Sequence, residues 1–123
     1  MSKKILLVDD DNDMIMLVSR WLERAGYTLS VSNSGEEALE LIKKDRPDLV
    51  LLDYAMPGMT GPEVLAAIRD DDKLLDLPVI FRTGKDDEES SDEMKQLKCS
   101  AVVSKADGKK ALMEAIGNVI GPS

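Results

Sequence analysis

Five short apolar runs punctuate this chain, at residues 5–8, 28–31, 49–52, 79–81 and 101–103. Each is too short for a stable helix and is bounded by turn or charged residues, so each reads as a strand. The runs at 5–8, 49–52 and 79–81 are apolar throughout rather than alternating. That pattern marks strands buried on both faces, as in a parallel sheet covered by helices.

Helical spacing fills the intervals. Met14, Ile15, Val18, Trp21, Leu22 and Ala25 form one stripe, and Gly26 follows as a stop. Ser34 with Glu37, and Thr60 with Glu63, have the spacing of capping boxes. The first opens a helix carrying Ala38, Leu41 and Ile42; the second opens one carrying Val64, Leu65 and Ile68. Asp107 precedes a last helix with Leu112, Ala115, Ile116, Val119 and Ile120 on one side. A fourth helix is expected over residues 86–98. It holds only Met94 and Leu97 as large apolar residues, so it is expected to be short or mobile. The alternation predicts an α/β fold, a (βα)5 doubly wound five-stranded parallel sheet with right-handed crossovers. At 123 residues, a single domain over 1–123 is expected.

In such sheets ligands bind beyond the carboxyl ends of the strands, where strand order reverses. For the five-strand order 2-1-3-4-5 the reversal lies between strands one and three. The chain places Asp9, Asp10 and Asp11 after strand one and Asp53 after strand three. Strand four ends in Thr83 and Gly84, and strand five ends in Ser104 and Lys105. Carboxylates this close repel unless one is protonated or a cation joins them. An all-oxygen set suits Mg²⁺, with Mn²⁺ as a substitute. Lys105 and the Thr83 hydroxyl add a cation and a donor, a kit suited to phosphoryl transfer. Asp53 is the expected nucleophile, because it is central among these strand ends.

Composition narrows the chemistry further. The chain has no histidine, which removes imidazole catalysis and imidazole-ligated zinc. Its single cysteine, Cys99, precludes an internal disulfide and is expected to be a packing residue. Acids outnumber bases 24 to 16, for a formal charge of −8, which disfavours a nucleic-acid partner. There is no membrane-length apolar run and no signal-peptide pattern, so a cytoplasmic location is expected.

Plainer readings apply to other residues. Asp9, Asp11 and Asp13 have calcium-loop spacing, but Met14 and Arg20 stand where that loop needs glycine and glutamate. Asp11 and Asp13 are expected to cap a helix, residues 70–72 and 86–89 to be solvated surface, and Met56, Met59 and Met94 to fill gaps.

The motifs together resemble those of a response-regulator receiver domain of two-component signalling, of the chemotaxis-regulator type. They are Lys4-Ile5-Leu6-Leu7-Val8-Asp9-Asp10-Asp11, the run from Pro47 through Asp53 to Gly61, Leu77-Pro78-Val79-Ile80 leading to Thr83-Gly84, and Ser104-Lys105. The resemblance implies the flavodoxin-like fold; receiver domains exemplify the 2-1-3-4-5 order, so fold rule and family are not independent. It implies that Asp53 accepts a phosphoryl group from a phosphohistidine on a sensor kinase or histidine phosphotransfer protein. Mg²⁺ would be bound by Asp10, Asp53 and the Ala55 backbone carbonyl, with Asp9 acting through water. Thr83 and Lys105 would contact the acyl phosphate. Phosphorylation would switch the surface of the fourth helix, fifth strand and fifth helix for a downstream protein target. Because the chain lacks histidine, its phosphoryl donor must be another molecule.

Three positions depart from the family pattern. Ala106 replaces the usual cis-bonded proline, and a cis bond to another residue costs about 3–4 kcal/mol, so this peptide is either trans or held cis by strain. Val102 stands where the family has its switch aromatic, which puts the usual threonine–aromatic coupling in question. Ala55 and Lys85 occupy positions that tune phosphate lifetime. Two rivals remain. One is an aspartyl-nucleophile phosphatase or phosphotransferase, against which Ala55 leaves no general acid two residues after Asp53. The other is a degenerate receiver used as a phosphorylation-independent interaction module.

Overall fold

The computed structural model describes residues 2–84 and 98–122. Five strands form one sheet in the order β2-β1-β3-β4-β5: β1 Lys4–Val8, β2 Thr28–Ser32, β3 Leu49–Asp53, β4 Val79–Thr83 and β5 Ala101–Ser104. All four neighbouring pairs are parallel. Four helices are described: α1 Asn12–Arg24, α2 Gly35–Lys44, α3 Gly61–Arg69 and α4 Gly108–Ile120. The expected doubly wound α/β architecture is therefore the observed one. The helix expected over 86–98 lies, but for Lys98, outside the described residues, as do Lys85 and Met94.

Alternation along the strands divides the core in two. Leu6, Val8, Val50, Leu52, Val79 and Phe81 face α2 and α3, meeting Ala38, Ile42, Val64, Leu65 and Ile68. Ile5, Leu7, Leu49, Leu51, Ile80 and Val103 face α1 and α4, meeting Val18, Leu22, Leu112 and Ile116. β3 and β4 are buried throughout, as their unbroken apolar runs require. Of the α1 stripe, Val18 and Leu22 are buried, Met14, Ile15 and Trp21 half-buried, and Ala25 exposed at the helix end.

Capping follows the sequence in part. Asp11 opens α1, its Oδ1 accepting from the amides of Asp13 at 2.9 Å and Met14 at 3.3 Å. Thr60 and Glu63 form a complete capping box. At α2 only half of the expected box forms: Ser34 Oγ accepts from the Glu37 amide, while the Ser34 amide donates to Ser32 Oγ. Asp107 makes no cap bond, because a 3-10 turn, Lys105–Asp107, precedes α4 and is capped by Ser104 instead. Within the acidic run 70–72, Asp70 and Asp72 are exposed, but Asp71 caps a 3-10 turn by accepting from Lys73. Met56 is buried, and Met59 and Cys99 pack against the same cluster, as gap-filling residues should.

Candidate functional site

Asp53 is the last residue of β3, with β1 on one side and β4 on the other. It lies one residue past the Val8–Leu52 pair, and its own partner on β4 is Arg82. The alternation that sends Leu51 and Ile80 toward α1 and α4 sends Asp53 and Arg82 the same way. Asp9 extends the row from β1. Asp9 and Asp53 are buried, whereas Asp10 is exposed. Carboxylate oxygens of Asp9, Asp10 and Asp53 all lie within 4.8 Å of one another.

Lys105, in the turn after β5, reaches into this cluster. Its Nζ is 3.1 Å from Asp53 Oδ1 and 3.5 Å from Asp9 Oδ2. The Lys105–Ala106 peptide is trans, since the described residues contain no cis bond. Asp9 Oδ1 accepts from the Asp11 amide at 2.9 Å, which fixes the carboxylate. Thr83 ends β4 and is buried, but among the described residues its hydroxyl makes no hydrogen bond to Asp53. Ala55 is exposed in the loop leading to α3. Val102 is exposed on β5, opposite Phe81 in register.

The loop after Asp53 is closed tightly. The Gly61 amide donates to the Tyr54 carbonyl at 3.0 Å, and the Tyr54 ring meets Phe81 edge-on at 5.8 Å. A Cβ on Gly61 would stand 2.5 Å from the Asp53 carbonyl oxygen and 2.9 Å from Tyr54 Cα. Only glycine fits so close to the Asp53 backbone.

Electrostatics set Asp53 apart. Its carboxyl is pushed up to about 7, first by burial and then by the Asp9 charge, with Lys105 acting in the opposite direction. One buried oxygen, Asp9 Oδ2, has no hydrogen-bond partner among the described residues. An all-oxygen cluster with an orphaned carboxylate oxygen fits a hard divalent cation.

Sequence reasoning missed Arg82. It is 3% exposed, and its Nη1 stands 3.8 Å from Asp9 Oδ2. The apolar run stops at Phe81 and the site motif resumes at Thr83, so Arg82 falls between the two. The available signal was a lone basic residue between a buried run and Thr83. Arginine is almost never fully buried without a partner of opposite charge.

Fold and rim together define a doubly wound α/β domain with an acid-and-lysine crevice at its topological switch point. Comparison with known proteins gives that class a family: residues 5–117 match the response regulator receiver domain model, and the chain belongs to this family. It is 35% identical to the polar-differentiation response regulator DivK of Brucella anthropi, over 98% of each chain. It is 41% identical over 88 residues to the alkaline phosphatase synthesis transcriptional regulatory protein PhoP of Bacillus subtilis, covering 72% of this chain and 36% of that one. The chain thus spans nearly the whole of one relative and about a third of the other. Among solved structures it resembles the chemotaxis protein CheY4 of Vibrio cholerae, with a TM-score of 0.90, 29% identity, and coverage of 97% and 99%. A response regulator from Chloroflexus aurantiacus gives a TM-score of 0.92 at 26% identity, with 98% of each chain covered. None of the described helices is long and apolar enough to cross a membrane.

Proposed function

We propose that this receiver accepts a phosphoryl group on Asp53 from a phosphohistidine of a sensor kinase or histidine phosphotransfer protein. The observation that carries the reading is the buried Asp53 carboxylate held 3.1 Å from Lys105 inside a three-carboxylate cluster. An Asp53 oxygen attacks phosphorus, an O–P bond forms as the P–N bond breaks, and the imidazole leaves with the electron pair of that bond. Lys105 neutralises charge on the phosphoryl oxygens, and the Thr83 hydroxyl donates to one of them. Asp10, Asp53 and the Ala55 carbonyl would hold Mg²⁺ or Mn²⁺, with Asp9 acting through water. When bound, that cation keeps the carboxylates ionised and offsets charge on the phosphoryl group.

On this reading the chain is a signalling switch, not a turnover enzyme. It promotes its own phosphorylation and dephosphorylation and acts in the cytoplasm, without touching nucleic acid or membrane. Its phosphorylated state is read by a downstream protein.

Intact-mass spectrometry after incubation with Mg²⁺ and a small-molecule phosphodonor tests the proposal. One added phosphoryl group is expected, lost in Asp53→Ala. No adduct, or one that survives this substitution, overturns it. Turnover of a phosphorylated substrate favours the enzyme class instead.

A further inference from the structure

Arg82 has no part in the chemistry above, yet its side chain is buried beside the acid crevice. It sits inside a strand buried on both faces and shares the sheet row of Asp53. Its Nη2 donates to Met14 Sδ at 3.7 Å, which directs the guanidinium toward the start of α1 and Asp9. Among the described residues its Nε and Nη1 are buried without hydrogen bonds, and so is Asp9 Oδ2, the oxygen it approaches. An arginine cannot shed its proton to escape such a site. Its charge is therefore a permanent feature of the crevice, compensated by the carboxylates of Asp9 and Asp53.

We propose that Arg82 is a built-in counter-cation of the acid crevice that weakens divalent-cation binding. The inference rests on the reading of this crevice as a divalent-cation and phosphoryl site. Two positive groups, Arg82 Nη1 at 3.8 Å and Lys105 Nζ at 3.5 Å, already flank Asp9 Oδ2. A divalent ion entering the cluster has to share Asp9 and Asp53 with them. Lys105 is partly exposed and on a turn, so it is free to swing outward; Arg82 is held on a strand between Met14 and Asp9. The repulsion from Arg82 consequently persists when the ion binds. Its burial also shields it from salt, unlike a surface charge. Arg82 tunes the acid site down, so occupancy follows the free cation concentration.

The test is a Mn²⁺ titration of the full chain at pH 8.5 in high salt, with free Mn²⁺ read by electron paramagnetic resonance. Arg82→Met keeps the shape of the stem and removes the charge. It is expected to bind at least about tenfold more tightly than wild type, a modest share of the repulsion between positive centres a few ångströms apart in a buried site. Arg82→Lys keeps the charge and is expected to stay close to wild type. If Arg82→Met does not fold, by circular dichroism, Arg82→Gln carries the comparison. A neutral variant that binds equally or more weakly overturns the inference while the cation site stands. Absence of binding to wild type and variants alike overturns the cation site and the inference together.

Discussion

The Asp53 carboxyl makes the domain's stability depend on pH in a direction opposite to that of most carboxylates. In the metal-free protein its pKa is raised from 3.8 to about 7. Between those values the folded chain holds a proton on Asp53 that the unfolded chain has lost. Stability from this group is therefore complete below the unfolded value and disappears as pH rises through the folded one. At about 1.36 kcal/mol per unit, the shift amounts to roughly 4 kcal/mol. Asp53→Asn keeps the shape and removes the charge, so it is expected to stabilise the metal-free domain at pH 8 by an amount on the order of that figure. At pH 4 the two proteins are expected to be nearly equal. The assay is urea unfolding in chelator at pH values from 4 to 8, followed by circular dichroism. Subtracting the variant's curve cancels the groups remote from Asp53 and leaves the slope of Asp53 together with its neighbours Asp9 and Lys105. A flat difference curve would refute the reasoning, because Asp53 would then be no more burdened by its charge when folded than when unfolded. Adding Mg²⁺ at pH 8 is expected to narrow the gap by stabilising wild type more than the variant.

Two further substitutions probe the supports of the site. Gly61→Ala puts a Cβ 2.5 Å from the Asp53 carbonyl oxygen and is expected to destabilise the domain by about 1–3 kcal/mol in urea unfolding. Lys105→Met removes the charge that opposes the rise in the Asp53 pKa, so the carboxyl should titrate above its wild-type value in metal-free protein, read by carbon-13 resonance of the side chain.

Much of this was legible in the residues, because parallel strands buried on both faces cannot hide their composition. The runs at 5–8 and 49–52 located β1 and β3, and the residues after them located Asp9 and Asp53. Strand ends were less legible. Thr28–Ser32 and Val79–Thr83 run one and two residues past their apolar stretches, since Ser32, Arg82 and Thr83 extend the ladder with polar side chains. The burial of Arg82 was not legible, because it depends on Asp9 and Met14, both distant in sequence. The Asp107 cap failed for a local reason, as the turn made by Lys105 takes up the residues that would have left Asp107 extended. The Thr60–Glu63 box succeeded because both halves lie within four residues and need no tertiary partner.

Among the described residues, the buried polar side chains are Asp9, Ser32, Asp53, Arg82 and Thr83. All stand at the carboxyl ends of their strands, and the rest of the buried core is apolar. What holds the domain together and what gives it chemistry therefore occupy different territory. The two apolar clusters on either face of the sheet would grip equally well beneath a different rim. The scaffold carries the fold by itself: the chain overlays on CheY4 with a TM-score of 0.90 at 29% sequence identity. The scaffold decides where the rim residues meet, and the rim residues decide what the meeting point can bind.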